Sequence, residues 1–355
     1  MGLPSIIIAF KTAGIAAISR SDKGTVALLL RGEGDAPKTY TIYDQTDIPD
    51  EIDAAGAAHI RRALIGYIKP PKQLLVRIGA AAEDDLTEGL DWLATQQFDY
   101  MAGPPDISSA EAQAVASWIK NQRENNHQIY KAVLPNMSAD HEGIINVTTG
   151  MARSASETLD AAMLCARIAG LIAGTPMKIS CTYAPLPELI DCTRLSRAAA
   201  DAAVDKGEFI LLHDGQKVKV GRGVNSFVTT IDGKGDAFQK IKIVECMDMI
   251  GQDIRRTAED SYIGKYANSY DNKCLLLTAI DGYLESLFRD GLIADGWTVT
   301  LDIPAIRTYL KSHGTDVTAM TDDEIKQADT GSWVFIRVAV KILDAIEDID
   351  IQVTI

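Results

Sequence analysis

A chain of 355 residues, 46% hydrophobic and 24% charged, has the length for a large core and more than one domain, and the composition of a folded globular protein. A net charge of −14 argues against nonspecific binding to nucleic acid or to an anionic membrane, and suits a protein that must stay soluble at high concentration before it assembles. No apolar run approaches the ~20 residues that cross a bilayer, and the start lacks the order of a secretory signal; the cysteines (Cys165, Cys181, Cys192, Cys246, Cys274) have no C-x-x-C pair or nearby histidine at metal-ligand spacing, so the expected setting is a reducing cytosol.

The chain opens with strand-like alternation, Ile6, Ile8 and Phe10 sharing one face after Gly2 and Pro4, followed by a weakly patterned, Ala-rich run to Arg20. Thr25–Leu30 is continuously apolar and Thr39–Tyr43 alternates; both read as strands. Asp47 and Asp50 precede an expected helix through about Tyr67, with Ile52, Ile60, Leu64 and Ile68 on one face and Pro70-Pro71 as the stop. Strand and helix then alternate: strand Leu74–Ile78, helix Asp85–Gln97, strand Tyr100–Ala102, and a helix to about Asn125 opened by the capping box of Ser108 and Glu111. Strands at Ile129–Leu134 and Ile144–Val147 follow. Ser154 and Glu157 repeat the capping-box spacing before a long apolar helix ending at Gly174-Thr175-Pro176. This βαβα order predicts an open, largely parallel α/β sheet covered by helices.

From Lys178 to Arg197 the pattern loosens, which suggests an irregular, protruding segment. Phe209–Leu212, Asp214-Gly215 and Lys217–Val220 read as a hairpin with a tight type I′ turn. Beyond Lys240 the organisation changes to a small α+β unit: a helix carrying Met249, Ile250, Ile254 and Tyr262; a helix over Cys274–Phe288; a strand Trp297–Ile303; a helix Pro304–His313 closed by Gly314; and a short acidic helix through about Ala328, capped by Thr321 and Glu324. Val334, Ile336, Val338, Val340 and Ile342 alternate as a strand, and so do Ile349, Ile351, Val353 and Ile355, set between Asp350, Gln352 and Thr354. A terminal strand of this kind exposes backbone groups and an apolar face that something must cover. The pattern leaves two partners open: the neighbouring strand of the same chain, or another copy of the chain.

An α/β layer invites an enzyme reading, because such sheets bind ligands at the carboxyl ends of their strands. The loops expected there, Gly79–Asp84, Gly103–Asp106 and Pro135–Asp140, contain no G-x-G-x-x-G or phosphate loop, and Pro104-Pro105 removes N–H donors. Gly221-x-Gly223 follows a hairpin rather than opening a helix, so its glycines are expected to shape a turn. His59, His127, His141, His213 and His313 lie singly, no serine sits in a G-x-S-x-G elbow, and Asp140-His141-Glu142 is expected to be a solvated loop. The acidic starts Asp84-Asp85 and Asp322-Asp323-Glu324 suit the positive ends of helix dipoles. No catalytic, cofactor or metal site is expected.

Asp248–Asn272, Ala328–Leu343 and Asp344–Ile355 resemble the C-terminal domain of contractile phage tail sheath proteins, and Ile6–Lys11 and Gly207–Ser226, with Arg222-Gly223-Val224-Asn225, fit the same pattern. Members occur in myophages, prophages and phage-tail-like bacteriocins. The resemblance implies a structural subunit of the virion tail sheath, assembled in the bacterial host cytoplasm, that polymerises as stacked hexameric rings around a tail tube and contracts to drive the tube through a cell envelope. It implies an N-terminal arm (1–23), an α/β layer of the kind called a subtilisin-like sheath domain (24–240, with an insertion near 178–205), an α+β C-terminal domain (241–345) and a C-terminal arm (346–355). Ile6, Ile8 and Phe10 would be one donated strand, and Ile349, Ile351, Val353 and Ile355 another. The receiving sheet would carry Val299, Leu301, Val334, Ile336, Val338, Val340 and Ile342. Implied partners are further copies of the chain, the tail tube protein, and the baseplate and tail terminator proteins, with no nucleic acid and no membrane insertion. The acidic start Asp322, Asp323 and Glu324 is a candidate tube contact, its alternative reading being a solvated helix turn. The alternative is a cytosolic α/β enzyme with an oligomerisation domain.

Overall fold

The computed structural model describes residues 17–18, 20, 23–83 and 85–354. The expected strand of Ile6, Ile8 and Phe10 lies outside the described residues, as does Ile355. The chain forms two compact units: Asp22–Asp248 together with Asp344–Ile355, and a second centred on Met249–Leu343.

The first unit follows the expected alternation closely. Its elements run β1 (Thr25–Leu30), β2 (Lys38–Ile42), α1 (Ala54–Leu64), β3 (Gln73–Ile78), α2 (Thr87–Leu93), β4 (Tyr100–Ala102), α3 (Ser109–Glu124), β5 (Lys131–Pro135) and β6 (Ile144–Val147). Then come β7 (Ala152–Ser154), β8 (Thr158–Leu159), α4 (Ala161–Ala173), β9 (Leu189–Cys192), α5 (Arg197–Asp205), β10 (Glu208–Phe209), β11 (Leu211–His213) and β12 (Val218–Val220). Seven strands make one sheet in the order β10-β6-β5-β4-β1-β3-β2, parallel except where β2 runs against β3.

Because both faces of this sheet are covered, its inner strands β1, β4 and β5 are buried along nearly their whole length rather than alternating, whereas the edge strand β2 is largely exposed. Val26, Leu28 and Leu30 pack with Tyr100 and Val133 on the face covered by α1 and α4. Ala27 and Leu29 pack with Met101, Ala132 and Leu134 on the opposite face, under α2 and α3. The capping box of Ser108 and Glu111 is present at the start of α3. Gly170 allows α4 to lie against α1, since a Cβ there would stand 1.9 Å from the carbonyl oxygen of Ala63.

Several expectations need correction. Ser154 and Glu157 do not cap α4: Ser154 N donates to Glu157 O at 2.9 Å, closing the β7–β8 turn, and the cap is Asp160, which accepts from Met163 N. The first helix begins after Asp53, whose side chain accepts from Gly56 N, so Asp47 and Asp50 precede it by too far to cap it, and Ile68 is 60% exposed beyond its end. The 178–197 stretch is not wholly irregular, because β9 joins β8 and β7 in a small sheet. The hairpin pairs β11 with β12, but its turn is not type I′: Gly215 has φ +100 whereas Asp214 keeps a negative φ, its carboxylate instead accepting from Gln216 N and Lys217 N.

The second unit contains most of α6 (Ile241–Ser261), α7 (Tyr270–Arg289), β13 (Thr298–Leu301), α8 (Ile303–Ser312), α9 (Asp322–Gln327) and β14 (Ile336–Ala339). Tyr283 donates to Asp253 at 2.6 Å, tying α7 to α6. Leu301, Ile306, Leu310 and Ile325 form a core against which Tyr309, Phe335 and Ile336 pack. β13 and β14 make a two-stranded antiparallel sheet, with Val299 opposite Val338 and Leu301 opposite Ile336. Val334 and Val340 fall outside β14, and Ile342 forms a separate bridge with Ile293, so the predicted nine-residue strand is shorter in the isolated chain.

Candidate assembly site

The carboxyl ends of β1, β3 and β4 are filled by the chain's own side chains, whereas a cleft of about 390 Å³ lined in part by Thr148, Thr149, Gly150 and Leu211 lies beyond β6 and β10. Arg77, 6% exposed, binds Glu83 through two 2.7 Å hydrogen bonds and holds its carboxyl below the usual range, and Glu83 also accepts from Ala80 N. Arg31 spans Asp106 and Glu111. Burial pushes the His59 imidazole down to about 4, so it is neutral, with Nε2 3.1 Å from Gly103 O. The expected solvated loop Asp140-His141-Glu142 is instead largely built in: His141 and Glu142 are 4% and 7% exposed, and Asp140 accepts from Val228 N and Thr229 N. These residues brace the chain around Ser226 rather than converge on an ion. Among the described residues, no group of three or more His, Cys, Asp or Glu is placed to hold a metal.

The strongest electrostatic feature of the first unit is a buried cluster beneath the start of α6. Lys131, 2% exposed, lies 2.8 Å from Asp248 and 3.1 Å from Glu245. Tyr100 donates to Glu245 at 2.5 Å, Lys23 also pairs with Glu245, and Arg123 grips both oxygens of Asp248 at 3.0 and 2.9 Å. Burial alone would raise the Glu245 carboxyl, but Lys131 and Lys23 pull it down to about 2. Asp99 nearby is pushed up by burial and by Glu245, against Lys131 and the N–H groups of Gly24 and Thr25. The cluster pins a helix to the sheet and uses up its own charges, which is a structural role. Sequence patterning missed it; the available signal was a lysine heading an otherwise apolar strand, Lys131–Leu134.

The surfaces left over are at the tail and in the second unit. From Ile346 onward the tail pairs with no strand among the described residues. Ile346, Ile349, Ile351 and Val353 are 87%, 74%, 74% and 79% exposed, so four β-branched side chains in close succession face solvent. In the second unit, β13 and β14 pair only with each other among the described strands, leaving an open edge on each side. Trp333 is also exposed, stacked on Phe335. The acidic helix α9 has the expected capping box of Thr321 and Glu324, while Asp322 binds Arg307 and Asp323 binds Lys326, both at 2.9 Å.

Among the described residues, the buried charges of the α/β layer pair with one another while strand edges and an apolar tail are left unpaired, the features of a building block that associates through its edges. Residues 79–226 match the phage tail sheath protein central domain and residues 233–355 the phage tail sheath C-terminal domain. The chain belongs to the phage tail sheath family, whose members are structural proteins and not enzymes. It is 38% identical to the tail sheath protein of Clostridium phage phiCD119 over 99% of both chains. Its fold is similar to a sheath tail protein from Listeria innocua (TM-score 0.69, 19% identity, 91% of this chain and 96% of that one). It is also similar to the helical sheath of the anti-feeding prophage in its contracted state (TM-score 0.74, 16% identity, 100% and 99%). The enzyme alternative is thereby set aside.

Proposed function

We propose that this chain is the repeating subunit of a contractile sheath, polymerising around a tail tube as stacked hexameric rings joined by strand exchange, and contracting to drive the tube through a cell envelope. The observation that carries this is the exposed tail: Ile349, Ile351 and Val353 are about three-quarters solvent-exposed with strand-like alternation, while the β13–β14 sheet has two open edges among the described strands. A two-stranded sheet is marginal in water, and added strands would complete it. Burying these three side chains is worth roughly 5–9 kcal/mol, before any main-chain hydrogen bonds.

In this reading Ile349, Ile351, Val353 and Ile355 are donated to one neighbour and Ile6, Ile8 and Phe10 to another. The receiving sheet is built on Val299, Leu301, Ile336 and Val338, and Val334, Val340 and Ile342 join it once β14 lengthens on pairing. The arms 1–23 and 346–355 flank the sheath layer 24–240 and the C-terminal domain 241–345. Contraction then rearranges rings whose subunits stay tethered. The anti-feeding prophage sheath of the same fold, captured contracted, supports that step. The tube is met through Asp322, Asp323 and Glu324; Asp322 and Asp323 keep side chains 64% and 82% exposed despite their partners. Baseplate and terminator proteins close the two ends of the polymer, which forms in the host cytoplasm.

Sedimentation and electron microscopy of the concentrated protein test this. Full-length chain forms rings, tubes or contracted sheaths, and a variant lacking Ile349–Ile355 remains folded and unpolymerised. A truncated chain that still polymerises overturns the strand-exchange reading.

A further inference from the structure

The tail inverts the usual order of burial. Its isoleucines point to water, whereas the Glu347 side chain between them is only 6% exposed. Four residues from three separate stretches of the first unit enclose that carboxylate. Ser180 Oγ and Thr182 Oγ1 donate to Glu347 Oε1 at 2.9 and 2.5 Å. Arg222 Nε and Lys240 Nζ stand 3.4 and 3.6 Å from Oε2, which accepts no hydrogen bond among the described residues. On either side the contact continues: Arg222 Nη2 binds both oxygens of Asp348 at 2.6 Å, and Lys240 pairs with Asp344.

The two hydroxyls are also held by contacts that do not involve the tail. Gly223 N donates to Thr182 Oγ1 at 2.9 Å and Ser180 Oγ lies 2.9 Å from the same oxygen, so the single Thr182 proton is directed at Glu347; Ser180 Oγ accepts from Thr182 N at 3.1 Å and shares its own proton between Thr182 Oγ1 and Glu347 Oε1. Gly223 is needed for this approach, because a Cβ there would lie 2.9 Å from Cys181 Sγ. Tyr183 holds φ +57 next to the pair, with Lys219 Nζ 4.2 Å from its ring centroid. A carboxylate taken almost wholly out of water is stable only with such partners.

We propose that Ser180, Thr182, Arg222 and Lys240 form a socket for Glu347 that positions the root of the C-terminal tail, so that the exchanged strand departs from one fixed point. This rests on the strand-exchange reading of Ile349–Ile355. With the socket filled, the seven residues beyond Asp348 reach at most about 23 Å; released, the free stretch starts at Asp344 and twelve residues reach about 40 Å. Lengthening a tether lowers the effective concentration of its end by roughly the −3/2 power of its length, about twofold here, and the loss of a fixed direction adds to that. Arg222, Lys240 and the hydroxyls are therefore positioning residues for assembly, acting through Glu347.

The ¹⁵N order parameters of the amides of residues 344–348, measured on full chain below its assembly concentration, read the socket directly. Glu347→Ala should lower them from about 0.85 to below about 0.6, the change from rigid to flexible backbone. Glu347→Gln, which keeps the acceptor for the two hydroxyls but not the charge, should give a smaller drop and is the milder variant if Glu347→Ala folds poorly. Both should raise the critical concentration for polymerisation at least about twofold with order parameters in the central sheet unchanged. Unchanged order parameters at 344–348 would show that there is no socket; lowered ones with an unchanged critical concentration would show that the socket does not position the tail. Ile349→Ser/Ile351→Ser separates the two readings, since it should weaken assembly and leave the order parameters at 344–348 as they were. If that variant assembles normally, strand exchange is the reading that has failed, while the relaxation data still decide the socket.

Discussion

Replacing Lys131 by Met removes the central cation of the cluster beneath α6 while keeping most of its volume. In the native chain the ammonium sits 2.8 Å from Asp248 and 3.1 Å from Glu245, and 5.2 Å from the Tyr100 ring centroid, with 2% of the residue exposed. Removing one member of a buried ion pair strands the other, at a cost of about 3–5 kcal/mol. Here the lower end applies, because Glu245 retains Lys23 and Tyr100, and Asp248 retains both nitrogens of Arg123. A unit of this size loses roughly 2–4 °C of melting temperature per kcal/mol, so the transition should fall by about 10 °C. Differential scanning calorimetry measures this, and Lys131→Met/Glu245→Gln should recover part of the loss by removing the stranded charge. A melting temperature within about 2 °C of wild type in the single variant would refute the assignment of the cluster as the clamp on α6.

Other consequences can be checked separately. His59 has a folded pKa of about 4, below its unfolded value near 6.5. The unfolded state therefore binds the extra proton, and stability is full above about 6.5 and is lost as the pH falls toward 4, by about 2 kcal/mol between pH 7 and pH 5. Urea titrations at the two pH values read this slope, which His59→Gln should largely remove. Gly170→Ala should destabilise the first unit by about 2–3 kcal/mol or more, since the added methyl would overlap the Ala63 carbonyl unless α1 and α4 separate; an unaltered denaturation midpoint would contradict their close packing. Asp322→Lys/Asp323→Lys should reduce co-assembly of sheath on tube in a pelleting assay while sheath polymerisation without tube is retained. Unchanged co-assembly would reject the tube contact.

How much was legible in the sequence depended on whether the signal was local. The parallel sheet was legible because β1, β5 and β6 are apolar on both faces and the linking helices carry their own caps, as at Ser108 and Glu111. The same local rule misled at Ser154 and Glu157, whose spacing also suits the tight turn they form. The helix α5 went unseen because Arg197–Asp205 is Ala-rich with only Ala200 buried, which leaves no apolar stripe to detect. The beginning of α6 was also missed, since Lys242 and Glu245 interrupt the apolar pattern while being buried by partners far away in sequence. The socket for Glu347 was hidden for the same reason: a glutamate near alternating isoleucines reads as the solvent-facing half of a strand until the fold brings Ser180, Thr182, Arg222 and Lys240 around it. The family resemblance lay in the residues around Arg222 and in the two ends of the C-terminal unit, where local texture is distinctive.

In the proposed strand exchange, the tail of one copy completes the sheet of another. A cryo-electron microscopy reconstruction of the assembled polymer, with Ile349–Ile355 traced through the density, tests it most directly. The expected density is a continuous strand hydrogen-bonded to an edge of the β13–β14 sheet of an adjacent subunit. Density that carries those residues back along their own subunit, with that edge left open throughout the lattice, would contradict it.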